Sequence, residues 1–136
     1  MFRPGKYYIG DLCYVMHDKW DQFCEATISG NTCLDGEFDI EGVKVASYGT
    51  MYGDGSYRDD DGNEYGVDAG IIGCIRVEDI AESELKNLDL GHVHEFKEAF
   101  RTGATRDGTI WFGDVSIATG DTKYDEYYDN EYEDEE

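Results

Sequence analysis

The sequence predicts a mainly β fold of the α+β kind: an antiparallel sheet or half-open barrel of about six to eight strands, with one or two short covering helices. Three observations carry this. Tyrosine, valine and isoleucine sit in short runs, as pleated strands favour. Those runs are broken by Gly, Asp and Asn, with 17 glycines against one proline. Helical spacing appears in two places only, and both are short.

Residues 6–16 (KYYIGDLCYVM) read as a first strand, bent at Gly10. Residues 37–48 read as a hairpin, with Phe38 and Ile40 before Glu41-Gly42 and Val43 and Val45 after it. Residues 57–69 read as a second hairpin, turned at Asp61-Gly62. Tyr65, Val67 and Ala69 alternate there with Glu64, Gly66 and Asp68, so one side is buried and the other wet. Residues 71–77 (IIGCIRV) are nearly all apolar, which suits a central strand. Residues 92–100 and 109–119 complete the sheet, joined by a turn region at 103–108. The first helix is expected to be capped by Asp18, with Trp20, Phe23, Cys24 and Thr27 on one stripe and Gly30 at its end. Asp79 is expected to cap the second, with Leu85 and Leu88 facing inward and Gly91 at the stop.

Residues 1–120 read as one domain and 121–136 as an acidic, tyrosine-rich tail. The chain has 136 residues and a net charge of −21. The tail holds nine acids and one base, the body 23 acids and ten bases, so the body is acidic in its own right. The tail has no aliphatic residue and is expected to be flexible. Such a charge disfavours direct binding of nucleic acid or of an anionic membrane. No run of 18 apolar residues exists, and the first residues do not read as a secretory signal. Cys13, Cys24, Cys33 and Cys74 form no C-x-x-C pair. The expectation is a cytoplasmic protein with reduced thiols; two disulfides in a secreted protein are the alternative.

The most distinctive stretch is residues 48–70 (YGTMYGDGSYRDDDGNEYGVDAG). Its Tyr52-Gly53-Asp54-Gly55-x-Tyr57 and Tyr65-x-Val67-Asp68-Ala69-Gly70 frames, with the opening Tyr8-Ile9-Gly10-Asp11-x-Cys13-Tyr14-Val15, resemble small acidic proteins of phages and bacteria that are uncharacterised. The resemblance covers about a third of the chain, implies a viral or mobile-element origin, and brings no activity with it. Ile9-Gly10-Asp11-Leu12 and Phe112-Gly113-Asp114-Val115 also share a frame, which reads as the ordinary use of Gly-Asp at bulges and turns rather than as a duplication.

No enzyme is expected. There is no nucleophile elbow, no phosphate-cradling loop and no Cys/His frame. Cys13, Cys24 and Cys74 read as core, leaving Cys33 as the exposed thiol. Asp59, Asp61, Asn63 and Asp68 miss the calcium-loop pattern, because Tyr57 falls where a carboxylate is required. His92-x-His94 has a spacing that zinc sites use but no supporting frame, and Phe96 follows on the same face. No metal or other cofactor is therefore expected. The favoured function is a non-enzymatic acidic binding protein that engages a basic protein surface. Its sharpest form is a phage-encoded nucleic-acid mimic that inhibits a host nucleic-acid-binding or defence enzyme. Clustered tyrosines would supply apolar anchors. The contact residues expected are Asp54, Asp59, Asp60, Asp61 and Glu64, projected by the hairpin turn. The alternatives are a virion structural or assembly protein, and a small-ligand or divalent-metal module built on Asp54, Asp59, Asp61 and Asp68.

Overall fold

The structure is a computed structural model and describes residues 1–29 and 32–119. The tail at 121–136 and the helix stop expected at Gly30 lie outside the described residues. The protein is mainly β, with antiparallel strands throughout, as the sequence predicts. Strands β1 (Gly5–Gly10), β4 (Gly36–Ile40), β5 (Val43–Gly49), β8 (Ile71–Arg76) and β9 (His92–Phe96) form one sheet in the order β4-β5-β8-β1-β9. Three smaller antiparallel units accompany it. They are β2 (Ile28–Ser29) with β3 (Thr32–Cys33), β6 (Gly55–Arg58) with β7 (Glu64–Val67), and β10 (Thr102–Ala104), β11 (Thr109–Phe112) and β12 (Val115–Ala118).

Both faces of the large sheet are covered, which explains the unbroken apolar run of its central strand β8. On one face lie Tyr7, Ile9, Ala46, Tyr48, Ile72 and Cys74. They pack against Tyr57, Tyr65, Val67, Ile110, Phe112 and Ile117 from the smaller β units. Phe2, Phe96 and Phe100 close this layer, with Phe100 stacked 3.8 Å from Phe96 and 5.3 Å from Phe2 between ring centroids. On the other face lie Tyr8, Val45, Ile71 and Ile75. Those pack against Leu12, Val15, Met16 and Ile80, and against Phe23 of the helix α1 (Trp20–Thr27). Gly73 belongs at the centre: a Cβ there would lie 2.2 Å from the Ala46 carbonyl oxygen and 2.8 Å from Leu12 Cδ1.

The two hairpins form where the sequence places them. Glu41 and Gly42 have φ of 54° and 89°, the left-handed pair that a two-residue hairpin needs, and Asp39 accepts from the Gly42 N–H at 2.8 Å. Four other expectations are corrected. The first strand stops at Gly10 and does not run to Met16, because the Asp11 carboxylate takes the Cys13 N–H and starts a 3₁₀ turn over Leu12–Tyr14. Residues 109–119 are a hairpin, not one strand, reversed at Gly113 with φ of 59°. The second helix is 3₁₀ over Glu82–Leu90, with no side-chain cap from Asp79 and with Leu85 exposed. Three residues per turn put Glu84 and Asn87 on one face. That face turns inward because Glu84 accepts from the His17 N–H at 2.9 Å and Asn87 donates to the Tyr14 carbonyl at 2.7 Å. Asp18 likewise caps nothing; it pairs with Lys19 at 2.9 Å.

Tyr7, Tyr8, Tyr48, Tyr57 and Tyr65 are core residues rather than surface anchors. Each hydroxyl is satisfied, by Arg3 O, Asp11 O, Thr102 Oγ1, Gly53 O and Asp59 Oδ2 respectively. The rings add apolar area to the core while the phenol tips reach partners at its margins.

Asp11 is fully buried. Its Oδ1 accepts from the Cys13 N–H at 3.0 Å, and its Oδ2 from the N–H groups of Asp68 and Ala69 at 2.7 and 2.5 Å. Asp11→Ala strands three backbone donors, each worth about 1–3 kcal/mol to leave unsatisfied, though relaxation and water recover part of the total. A loss of ~2–4 kcal/mol in the urea-unfolding free energy is expected. A variant as stable as the wild type would refute this role.

Candidate partner-binding surface

The β6–β7 ribbon carries the residues that the sequence singles out. Tyr57 pairs with Tyr65 and Arg58 with Glu64 across it. Its tip is a turn closed by the Gly62 N–H donating to the Asp59 carbonyl at 3.1 Å. Gly62 has φ of 88°, and the Asp59 N–H returns to the Asn63 carbonyl at 3.1 Å. This is a type I turn followed by a left-handed glycine, a common longer hairpin loop. The tip also docks on β12, through an isolated bridge between Asp59 and Ile117 and a 3.2 Å bond from the Asp60 N–H to the Ser116 carbonyl.

The five predicted contact residues separate into four placements. Asp60 and Asp61 are exposed on the turn, as expected. Asp59 is turned inward. Its Oδ1 accepts from the N–H groups of Asp61 and Asn63, both at 2.9 Å, and its Oδ2 accepts from Asn63 Nδ2 at 3.0 Å and the Tyr65 hydroxyl at 2.6 Å. Burial pushes the Asp59 carboxyl up, but the bonds from Tyr65, Asn63 and the two backbone amides outweigh it and hold the group below the usual carboxylate range. The same contact, added to burial, raises the Tyr65 phenol. Glu64 is exposed and accepts from the Ser56 hydroxyl. Asp54 precedes β6 and so lies at the opposite end of the ribbon from the tip. Residues 58–64 hold four acids and one base, a net of −3 fixed on ordered backbone.

At the ribbon's other end, the 50–54 loop meets the 68–70 turn. The Thr50 N–H donates to the Gly70 carbonyl at 3.0 Å, and the Met51 N–H donates to Thr119 Oγ1 at 3.0 Å. Met51 and Tyr52 are exposed here, at 44% and 55%, beside Asp54. Tyr52 is the one exposed tyrosine among the described residues. The acids of the ligand-module reading therefore do not converge: Asp59 and Asp61 lie at one end of β7 and Asp68 at the other, separated by four strand residues. Among the described residues, no three His, Cys, Asp or Glu side chains gather where a metal ion would sit. His92 and His94 share a face with Phe96, their ring centroids 6.1 Å apart, and His94 Nε2 lies 3.5 Å from Asp114 Oδ1.

Two of the thiols, Cys13 and Cys74, are held protonated by their surroundings. Burial, then the Asp11 carboxylate, pushes Cys13 up to about 12. Burial raises Cys74 as well. The side chain of Cys33 lies outside the described residues. Asp11 escaped sequence reasoning as a structural centre: its only signal was a Gly-Asp frame shared with Gly113-Asp114, where Asp114 is exposed on a turn.

No family model, curated protein or solved structure matches this chain. Among the described residues, no helix is long and apolar enough to cross a membrane.

The depressed Asp59 carboxyl gives a signed pH dependence. Its stabilisation is complete above the unfolded value, about 3.9, and disappears as pH falls through the lower folded value. The stability difference between wild type and Asp59→Asn should therefore shrink from about pH 5 to about pH 2 in urea titrations; a constant difference would contradict the assignment. Cys13 is expected to react with iodoacetamide at pH 8 on the order of a thousandfold more slowly than an unhindered cysteine, by mass spectrometry of its peptide. Labelling at the ordinary rate would show that the thiol is not held protonated.

Proposed function

We propose that this protein is a non-enzymatic acidic binding protein that engages a basic surface on another protein. The observation that carries the reading is the locked turn. Asp59 spends its carboxylate on holding the tip, and Asp60 and Asp61 stand outside on backbone already ordered before any partner arrives. Preorganised charge loses little freedom on binding, and the summed field of a −21 chain speeds encounter with cationic surfaces. Met51 and Tyr52, exposed beside Asp54, add apolar area at the ribbon's far end. In the finer form of the proposal, the partner is a nucleic-acid-binding or defence enzyme and the carboxylates occupy its phosphate groove, as a phage-encoded inhibitor would.

The test uses Asp60→Lys/Asp61→Lys, which spares the Asp59 bonds. Immobilised wild type should capture a basic protein from a bacterial lysate at low salt and lose it at high salt. The double reversal should weaken that complex by well over the ~0.2–1 kcal/mol typical of one exposed pair. Added DNA should compete for the captured protein while showing no affinity for the bait. Capture that ignores both salt and charge reversal would sink the electrostatic reading, and capture without DNA competition would remove its mimic form.

A further inference from the structure

A cavity of about 320 Å³ opens on the sheet face that carries the helices, lined by Cys13, Tyr14, His17, Trp20 and Asp68. Its size is at the lower end of small-ligand pockets. We propose that this cavity is a receptor for the guanidinium group of an arginine side chain on a protein partner; the choice of a protein partner rests on the function proposed above.

Its walls are suited to a flat cation. Tyr14 and Trp20 are half-buried and packed against the core of that face, and Phe23 stacks on the indole at 4.9 Å and 16°. The Trp20 ring is thereby held in place at the cavity edge. Guanidinium stacks on aromatic faces more readily than ammonium does, and Arg forms the stronger bidentate pair with a carboxylate.

Asp68 supplies that carboxylate. Its backbone N–H is pinned by Asp11 at 2.7 Å, while no base among the described residues pairs with its side chain. It is close enough to Cys13 and Tyr14 to raise both, behind the larger effects of burial, of the Asp11 carboxylate at Cys13 and of Cys13 at Tyr14. The Cys13 thiol stays protonated and brings no charge of its own. His17 does not make the site cationic, because its Nδ1 lies 3.2 Å from a carboxylate oxygen of the buried Glu84. A protonated His17 is offset by Glu84, and a neutral one leaves an acid behind it. The site is therefore anionic in either state.

Sequence reading did not find this site because its residues come from two stretches some fifty positions apart. Asp11 brings them together: one oxygen sets the 3₁₀ turn that carries Cys13 and Tyr14, and the other holds the amides of Asp68 and Ala69.

The test titrates blocked arginine (N-acetyl-arginine amide) into the full chain at low salt, following the indole N–H resonances of Trp20 and Trp111 by NMR. Saturable shifts are expected at Trp20 and not at Trp111. Blocked citrulline, neutral and nearly isosteric, should not bind, and blocked lysine should bind more weakly than arginine. Asp68→Asn, which keeps the backbone N–H, should weaken arginine binding about tenfold. Asp61→Asn, remote at the ribbon tip, should leave it unchanged. Trp20→Leu, with its fold verified by the Trp111 signal and its arginine affinity measured by calorimetry, should also bind more weakly. Equal binding of citrulline or lysine, indifference to Asp68→Asn, or linear shifts without saturation would overturn the proposal. A failed titration alongside a salt-sensitive complex made by Asp60 and Asp61 would remove this cavity alone. Saturable arginine binding with no charge-dependent protein partner would keep the site and remove the wider function.

Discussion

One buried carboxylate constrains much of this molecule. Asp11 has no solvent access and no cation beside it among the described residues, so hydrogen bonds, three from backbone amides and one from the Cys13 thiol, carry its compensation. A charge in low dielectric is tolerated only when its lone pairs are occupied. Three N–H groups do this, and they come from both sides of the fold: one from the chain leaving β1, two from the connection between β7 and β8. The Tyr8 hydroxyl adds a bond to the Asp11 carbonyl at 3.1 Å. The end of the first strand, the start of the 3₁₀ turn and the root of the acidic ribbon are thus fixed by one group. Removing it would disturb the ribbon as well as the core.

The same division of labour recurs at the ribbon tip. Two aspartates fix the ribbon, Asp11 at the root and Asp59 at the tip, and in each case both oxygens are taken by donors. Their neighbours Asp60, Asp61 and Asp68 are left facing water. The acidity of the chain is therefore two populations that composition cannot separate. A few carboxylates organise backbone, and many others set the external field. Tyrosine divides the same way: five rings fill the core with their hydroxyls satisfied, and Tyr52 stands outside.

Much of the architecture was legible in the sequence. Period-two alternation and Glu41-Gly42 and Asp61-Gly62 located both hairpins, and the unbroken IIGCI run located the central strand. Reading failed where one side chain overrode a local pattern. Nothing in KYYIGDLCYVM says that its aspartate will be buried and end the strand. Nothing in ESELKNLDL says that Glu84 will turn in and Leu85 out, because the deciding partners, His17 and Tyr14, lie about seventy residues away. The predicted contact set failed in a related way. Five acids close in sequence were read as one tip, whereas a ribbon has two ends and an inside, and Asp54, Asp59 and Asp60 fall one in each.

The sheet order also bears on how the chain is made. β1 sits between β8 and β9, so on leaving the ribosome it has no neighbour in this sheet until residues 71–96 have followed it. β4 and β5 can close on each other early, being joined by a two-residue turn. The apolar YYI of β1 must instead wait while the sixty or more residues up to β8 are made. At about 5–20 residues per second that is several seconds of exposure for an unpaired strand flanked by few charges. Long-range pairing of this kind folds slowly and invites association with other chains. The high negative charge of residues 11–68, emerging during that interval, supplies repulsion between nascent copies when the strand is least protected.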